Sequence, residues 1–560
     1  MDAEAKELQC IDVSAVAGSW DRFVESFLCS YFQAHPTFAA GAGRHELDGR
    51  LPDWSPEGIA SDMARLREDR IRVEAFDPET LDDRRAFERE ALLSVIDSDL
   101  FWFAEAEWPW TNPMFYAGAL DPSLYLTREY APLAQRLCAY IDYARAVPRA
   151  AEQVRANLRT PMPRTFAELG ETSFGGLAGY YEKDVPEIFA SVSDPDLQRE
   201  LREANAAAIE AMRKLGAWFR EQIPPAGKDG GEFRLGTPLF ERMLRQTEHV
   251  NVSVRELEAA GRRELERNLA ALRDACAAYA PGLSVTECLE RVQAEKPEGG
   301  PVAAARRQIV GLRRFLEERE LVSIPGTEEA RVEPAPPYQR WNSAYIDIPG
   351  PYDRHLPSIY YITPPDPVWT PEEQVAYIPG EADLLFITIH EVWPGHFLQF
   401  LHSNRVESVI GRLFVGYGFA EGWAHYSEEL MWEVGFGDGD PRVRIGQLQN
   451  ALLRNVRYLV ALGLHTGDLT LEEAERMFRE HAFQDPASAR QQAARGTFDP
   501  GYLNYTLGKL MVRKLRDDWT ASRGGRKAWR EFHDQFLSYG GPPIPLVRKA
   551  MLPGEAGAVL

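Results

Sequence analysis

The chain has 560 residues, 44% of them hydrophobic and 26% charged, with a formal net charge of −22 and a pI near 5.1. That is a globular composition with enough apolar material for a large core, and its acidity argues against nucleic acid or an anionic membrane as partner, since either needs a basic surface. The five cysteines, Cys10, Cys29, Cys138, Cys276 and Cys288, are scattered and odd in number, which argues against a disulfide framework or a thiolate zinc site.

The opening M-D-A-E-A-K-E-L-Q-C has neither a basic leader nor an apolar core, and no apolar run approaches a membrane span, so a cytoplasmic enzyme is expected. Helical spacing of apolar residues follows from Trp20 to Phe38 and from Pro56 to Val73. The aromatic cluster Phe101, Trp102, Phe103, Trp108, Trp110, Phe115 and Tyr116 is read as core packing rather than the wall of a cleft. Two more helices are expected over Ala131–Leu158 and Asp194–Gln222, with a turn at Thr172–Leu177 between them. Ser253-x-x-Glu256, Ser284-x-x-Glu287, Thr370-x-x-Glu373 and Thr470-x-x-Glu473 are capping boxes, each opening a helix.

The period changes over 323–368, where Val332, Ala344–Ile348 and Ser358–Ile362 read as short strands between proline-rich turns. This small sheet either packs the functional site or lies along an extended substrate, and Tyr360 within it is a candidate for contact with substrate or for support of the site. The fold class is mainly α. One large helical domain over 1–560 is expected, as a single body or as two lobes around a deep cleft, with the β-rich segment at 323–368 and the core of the site within 381–510.

The chemistry concentrates in E-A-D-L-L-F-I-T-I-H-E-V-W-P-G-H-F-L-Q-F, residues 381–400. A mostly apolar run delivers His390 and Glu391, and His396 follows six residues on. In an unbroken helix the two imidazoles would lie roughly 240° apart. Pro394-Gly395 stands between them, and such a pair can break the helix and swing His396 back. Glu421 offers a carboxylate downstream. Two imidazoles and one carboxylate can hold a single divalent metal with a position left for water, and Glu391 can take a proton from that water.

The segments H-E-V-W-P-G-H-F-L-Q and G-F-A-E-G-W-A-H-Y-S-E-E resemble the DUF 885 family, whose members are similar to gluzincin-type zinc peptidases with a downstream glutamate as third ligand. The likeness is clearest from Phe233 to Gly508. It implies a helical metallohydrolase fold more firmly than any substrate. His425 departs from the apolar residue expected in its slot, and is read as supporting a ligand or touching substrate.

On the Glu421 helix, His425 and Glu428 share a face with Glu421, so one of them can orient a ligand; Glu429 is read as a solvated surface charge. Tyr505, in a stretch resembling the family's late arginine–proline–tyrosine–glycine segment, is the first candidate to donate to an oxyanion, and His465 the second. Arg454, Arg457 and Arg495 either grip a substrate carboxylate or form ion pairs.

The leading reading is a zinc-dependent hydrolase of peptides or N-acyl amino-acid-like amides. The same ligand set also serves non-haem iron oxygenases, and a non-catalytic peptide-binding protein is the third reading. Oligomeric state is left open.

Overall fold

The long amphipathic segments form helices and the short proline-bounded ones a small sheet, so the fold is mainly helical. The computed structural model describes residues 19–225, 230–336, 343–467, 469–554 and 557–560; Cys10 and residues 337–342 of the β-rich stretch lie outside them. The chain packs as two compact units, one of Met1–Glu232 with Pro349–Leu356 and the other of Phe233–Ile348 with Pro357–Leu560.

In the first unit, helices Leu133–Asn157, Arg164–Phe189 and Pro195–Gln222 pack along one another. The turn expected at Thr172–Leu177 does not form; those residues lie inside the second of these helices. Gly175 serves packing instead. A Cβ on Gly216 would stand 2.9 Å from the Cα of Gly175, so the two helices cross with their backbones in contact. The helix expected from Trp20 to Phe38 is split after Ala34, because Pro36 starts a new helix and pushes His35 out of helical geometry. Phe101, Phe103 and Tyr116 are buried, as core packing requires.

The second unit carries the candidate site. Its elements are named here as α1 (Val254–Tyr279), α2 (Pro301–Arg319), β1 (Arg331–Pro334), β2 (Ala344–Asp347), β3 (Ile359–Ile362), α3 (Glu381–Glu391), α4 (His396–Ser403), α5 (Tyr417–Glu433), α6 (Pro441–Thr466) and α7 (Asn504–Ala521). The sheet has the order β1-β3-β2, with β3 parallel to β1 and antiparallel to β2, and Ile346 opposite Tyr360. Helix α6 packs on α1 and α3, and α5 on α7. The α5–α7 crossing depends on glycine: a Cβ on Gly508 would stand 2.1 Å from the carbonyl oxygen of Gly418, and one on Gly422 2.5 Å from the Cα of Gly508.

Candidate metal centre

The apolar run of α3 buries Leu384, Phe386 and Ile389 and ends the helix at Glu391. Val392–Gly395 then turn the chain, and α4 begins at His396. The turn closes tightly: Gly395 N–H donates to the Ile389 carbonyl at 3.0 Å. A Cβ on Gly395 would lie 1.8 Å from the His390 carbonyl oxygen, so no other residue fits there. From α5, Trp423 Nε1 donates to the Pro394 carbonyl at 2.8 Å and pins the turn.

This turn brings the two imidazoles together. Their ring centroids are 4.7 Å apart and nearly perpendicular, at 87°. Glu421 reaches in from α5, its Oε2 3.1 Å from His390 Nε2 and 3.5 Å from His396 Nε2. One ligand atom from each of the three lies within 4.8 Å of the others. Ligands about 2.0–2.2 Å from a tetrahedrally held ion stand roughly 3.4 Å apart, so the donor set and its spacing fit a divalent metal.

Glu428, two turns along the same face of α5 from Glu421, is fully buried and orients His390: its Oε1 lies 2.7 Å from His390 Nδ1. Arg454 pairs with the same oxygen at 3.1 Å, and His425 Nδ1 lies 3.4 Å from Oε2. Burial alone would raise the Glu428 carboxyl, but Arg454, His425 and His390 hold it well below the usual range. Burial and Lys509 push His425 down to about 3, so it is neutral. For His390, burial and Arg454 act downward, yet the bonds to Glu421 and Glu428 prevail and take it up to about 9. Glu421 is held well below the usual range, the two histidines outweighing burial.

Glu391 is half-buried, and the loss of surrounding water raises its carboxyl; its Oε2 accepts the backbone N–H of Ile346 in β2 at 3.2 Å. Tyr505, near the start of α7, lays its ring 6.4 Å from that of His390 at 23°. Its hydroxyl makes no hydrogen bond among the described residues, and burial pushes it up to about 12, so it is a proton donor at neutral pH.

Several expectations are corrected. His465 does not join this cluster: it is buried, its Nε2 lies 2.9 Å from the Gly496 carbonyl, and its ring packs on Phe233 and Phe240. Tyr360 is fully buried, with its hydroxyl 3.3 Å from Thr388 Oγ1, so it braces α3 and cannot touch substrate. Of the two readings of His425 the supporting one fits: it is fully buried and lies against Glu428. Glu429 is no surface charge: only 5% exposed, it pairs with Arg267, Lys509 and Arg513. The paired carboxylate Glu264 completes that cluster. Of the arginines, Arg454 is committed to Glu428 and Arg495 pairs with Asp499 at 3.1 Å.

Glu248 escaped the sequence reading. Its carboxyl is buried between two elements of the site, accepting from Gly418 N at 3.2 Å in α5 and from Asn504 Nδ2 at 2.8 Å in α7. A lone acid in E-H-V-N before a loop carries no spacing that would have marked it.

The family model described as "Bacterial protein of unknown function (DUF885)" matches residues 36–551. No curated protein matches the chain. Among solved structures, a "putative lipoprotein of unknown function" from Shewanella oneidensis aligns at a TM-score of 0.80 and 22% identity, covering 96% of this chain and 100% of its own. A "putative lipoprotein" from Colwellia psychrerythraea aligns at 0.79 and 17%, covering 96% and 99%. Both share the fold. An M32 carboxypeptidase from Deinococcus radiodurans R1 aligns at only 0.38 and 14%, over 95% and 97% of the two chains, too low to bear on fold or activity. The description of the first two as lipoproteins overturns the cytoplasmic location expected from the opening residues. Among the described residues Cys138, Cys276 and Cys288 are free.

Proposed function

Because the chain belongs to the DUF885 family of bacterial proteins of unknown function, its activity has to be read from its own residues, and we propose that it is a metal-dependent hydrolase of peptide or peptide-like amide bonds. The observation that carries this reading is the convergence of His390, His396 and Glu421 with Glu391 beside them. His390, His396 and Glu421 would hold the ion, and zinc suits two imidazoles and a carboxylate. A bound divalent ion supplies Lewis acidity, acidifying water and polarising a carbonyl.

The protein's own groups do the rest. Glu391 takes the proton of the attacking water and passes it to the leaving amine. Burial keeps its carboxyl more basic than an exposed glutamate, which favours proton uptake. The N–H of Ile346 holds one of its oxygens in place. Tyr505 donates its hydroxyl proton in a hydrogen bond to the oxygen of the attacked carbonyl. Glu428, charged through its pair with Arg454, fixes the ring of His390. An oxygenase built on the same ligands would leave Glu391 without a task.

The test is Glu391→Gln. Zinc content by elemental analysis should match wild type, while hydrolysis across a dipeptide and N-acyl-amino-acid library should fall at least ~100-fold. Near-normal turnover in this variant would sink the reading.

A further inference from the structure

Three arginines border the centre, and two already have acidic partners: Arg454 has Glu428, and Arg495 has Asp499. Arg457 does not. Its Nε donates to Gln492 Oε1 at 2.9 Å, which fixes the plane of the guanidinium. The guanidinium carbon lies 4.9 Å from the ring centre of Tyr502 and 5.1 Å from that of Tyr505. Among the described residues no carboxylate stands within ion-pair distance of it. A half-buried, oriented guanidinium without a counter-ion is unusual in a chain of net charge −22.

Position gives this a meaning. Arg457 stacks on one side of Tyr505, and the ring of Tyr505 lies 6.4 Å from that of the proposed ligand His390. The guanidinium is thus one tyrosine ring removed from the imidazole. An extended chain advances at most about 3.6 Å per residue, so an anion held by Arg457 would sit roughly one to three residues from a carbonyl at the centre. Guanidinium and carboxylate match in shape and pair through two parallel hydrogen bonds. Asp499, which pairs with Arg495 at 3.1 Å, also feels the charge of Arg457, so two guanidiniums share one carboxylate and one positive charge is left over.

We propose that Arg457 binds the free carboxylate of the substrate, so that the substrates are dipeptides, short peptides with a free C-terminus, or N-acyl amino acids, cut within a few residues of that end. The proposal rests on the hydrolase reading above and narrows its substrate class.

The test uses an uncleavable probe, so that it reads whether or not turnover occurs. A dipeptide with its peptide bond replaced by CH2–NH is titrated calorimetrically into the zinc-loaded full chain, as the free acid and as the C-terminal amide. Wild type should bind the acid at least tenfold more tightly, on the scale of a charge-assisted pair. Arg457→Gln should bring the acid down to the affinity of the amide and leave the amide unchanged; Arg495→Gln should keep the preference. Equal binding of acid and amide by wild type, no measurable binding of the acid, or a preference that survives in folded Arg457→Gln would overturn the proposal. Should Arg457→Gln fail to fold by thermal melt, Arg457→Lys, which keeps the charge but loses the fork, must lower the preference at least threefold, and an unchanged preference there overturns it. Turnover of a free-acid dipeptide by wild type, with Glu391→Gln as control, is measured in parallel. Its absence beside an intact acid preference sinks the hydrolase reading and leaves the anchor standing; turnover without acid preference sinks only the anchor.

Discussion

Glu428 Oε1 stands 2.7 Å from His390 Nδ1 and 3.1 Å from the guanidinium of Arg454. One buried carboxylate therefore sets both the orientation and the tautomer of the first imidazole, leaving Nε2 to face Glu421.

Glu428→Gln keeps an oxygen for His390 but removes the charge. Zinc affinity, measured by chelator competition on folded protein, should fall about 10- to 100-fold. The thermal midpoint should fall as well, because Arg454 is left buried without its counter-ion. Wild-type affinity in this variant would show that the contact is idle.

Zinc binding should release protons. His390 in the metal-free protein is taken up to about 9, so at pH 7.5 it carries a proton that ligation must displace. Affinity should rise with pH and level off near 9. Calorimetry in buffers of different ionisation enthalpy should count about one proton from this residue; a pH-independent affinity between 6 and 9 would contradict the assignment.

Tyr505→Phe removes a hydroxyl that has no other hydrogen bond among the described residues. Stability should be unchanged, while kcat should fall on the order of 100-fold with KM little altered, as for loss of an oxyanion donor. Loss confined to KM would reassign the residue to binding.

Glu248 makes stability depend on pH. Burial pushes its carboxyl up to about 7, against the smaller effects of Gly418 and Asn504. A carboxyl raised on folding favours the folded state at low pH, and that contribution is lost as pH rises from the unfolded value through about 7. Glu248→Gln should therefore raise the thermal midpoint at pH 8, by about 2 kcal/mol in stability, and do little at pH 5. A larger gain at pH 5 than at pH 8 would reverse the sign and refute it.

Much of this was legible in the sequence where the signal is local. All four capping boxes form, so helix starts at Val254, Val285, Pro371 and Leu471 follow from neighbouring residues alone. The break at Pro394-Gly395 and the helix bearing Glu421 were readable for the same reason. What failed depends on distant partners. Glu429 is buried because Arg267, Lys509 and Arg513 arrive from α1 and α7. His465 looked like chemistry from its composition, yet it is enclosed by a segment farther along the chain, while Tyr360 keeps the supporting one of its two readings through Thr388. Gly175, in the stretch read as a turn, mimicked one because contact with the helix bearing Gly216 and reversal of the chain call for the same small residue.

The glycine crossing of α5 and α7 has a mechanical consequence. With backbone touching backbone at Gly418, Gly422 and Gly508, neither helix can slide by a turn or tilt without collision. The acid at 421 and the phenol at 505 are therefore mounted on one stiff frame, their spacing a property of main chain rather than of side-chain rotamers. The strand β2, by contrast, meets Glu391 through the amide of Ile346, a contact that a small shift of either partner can make or break.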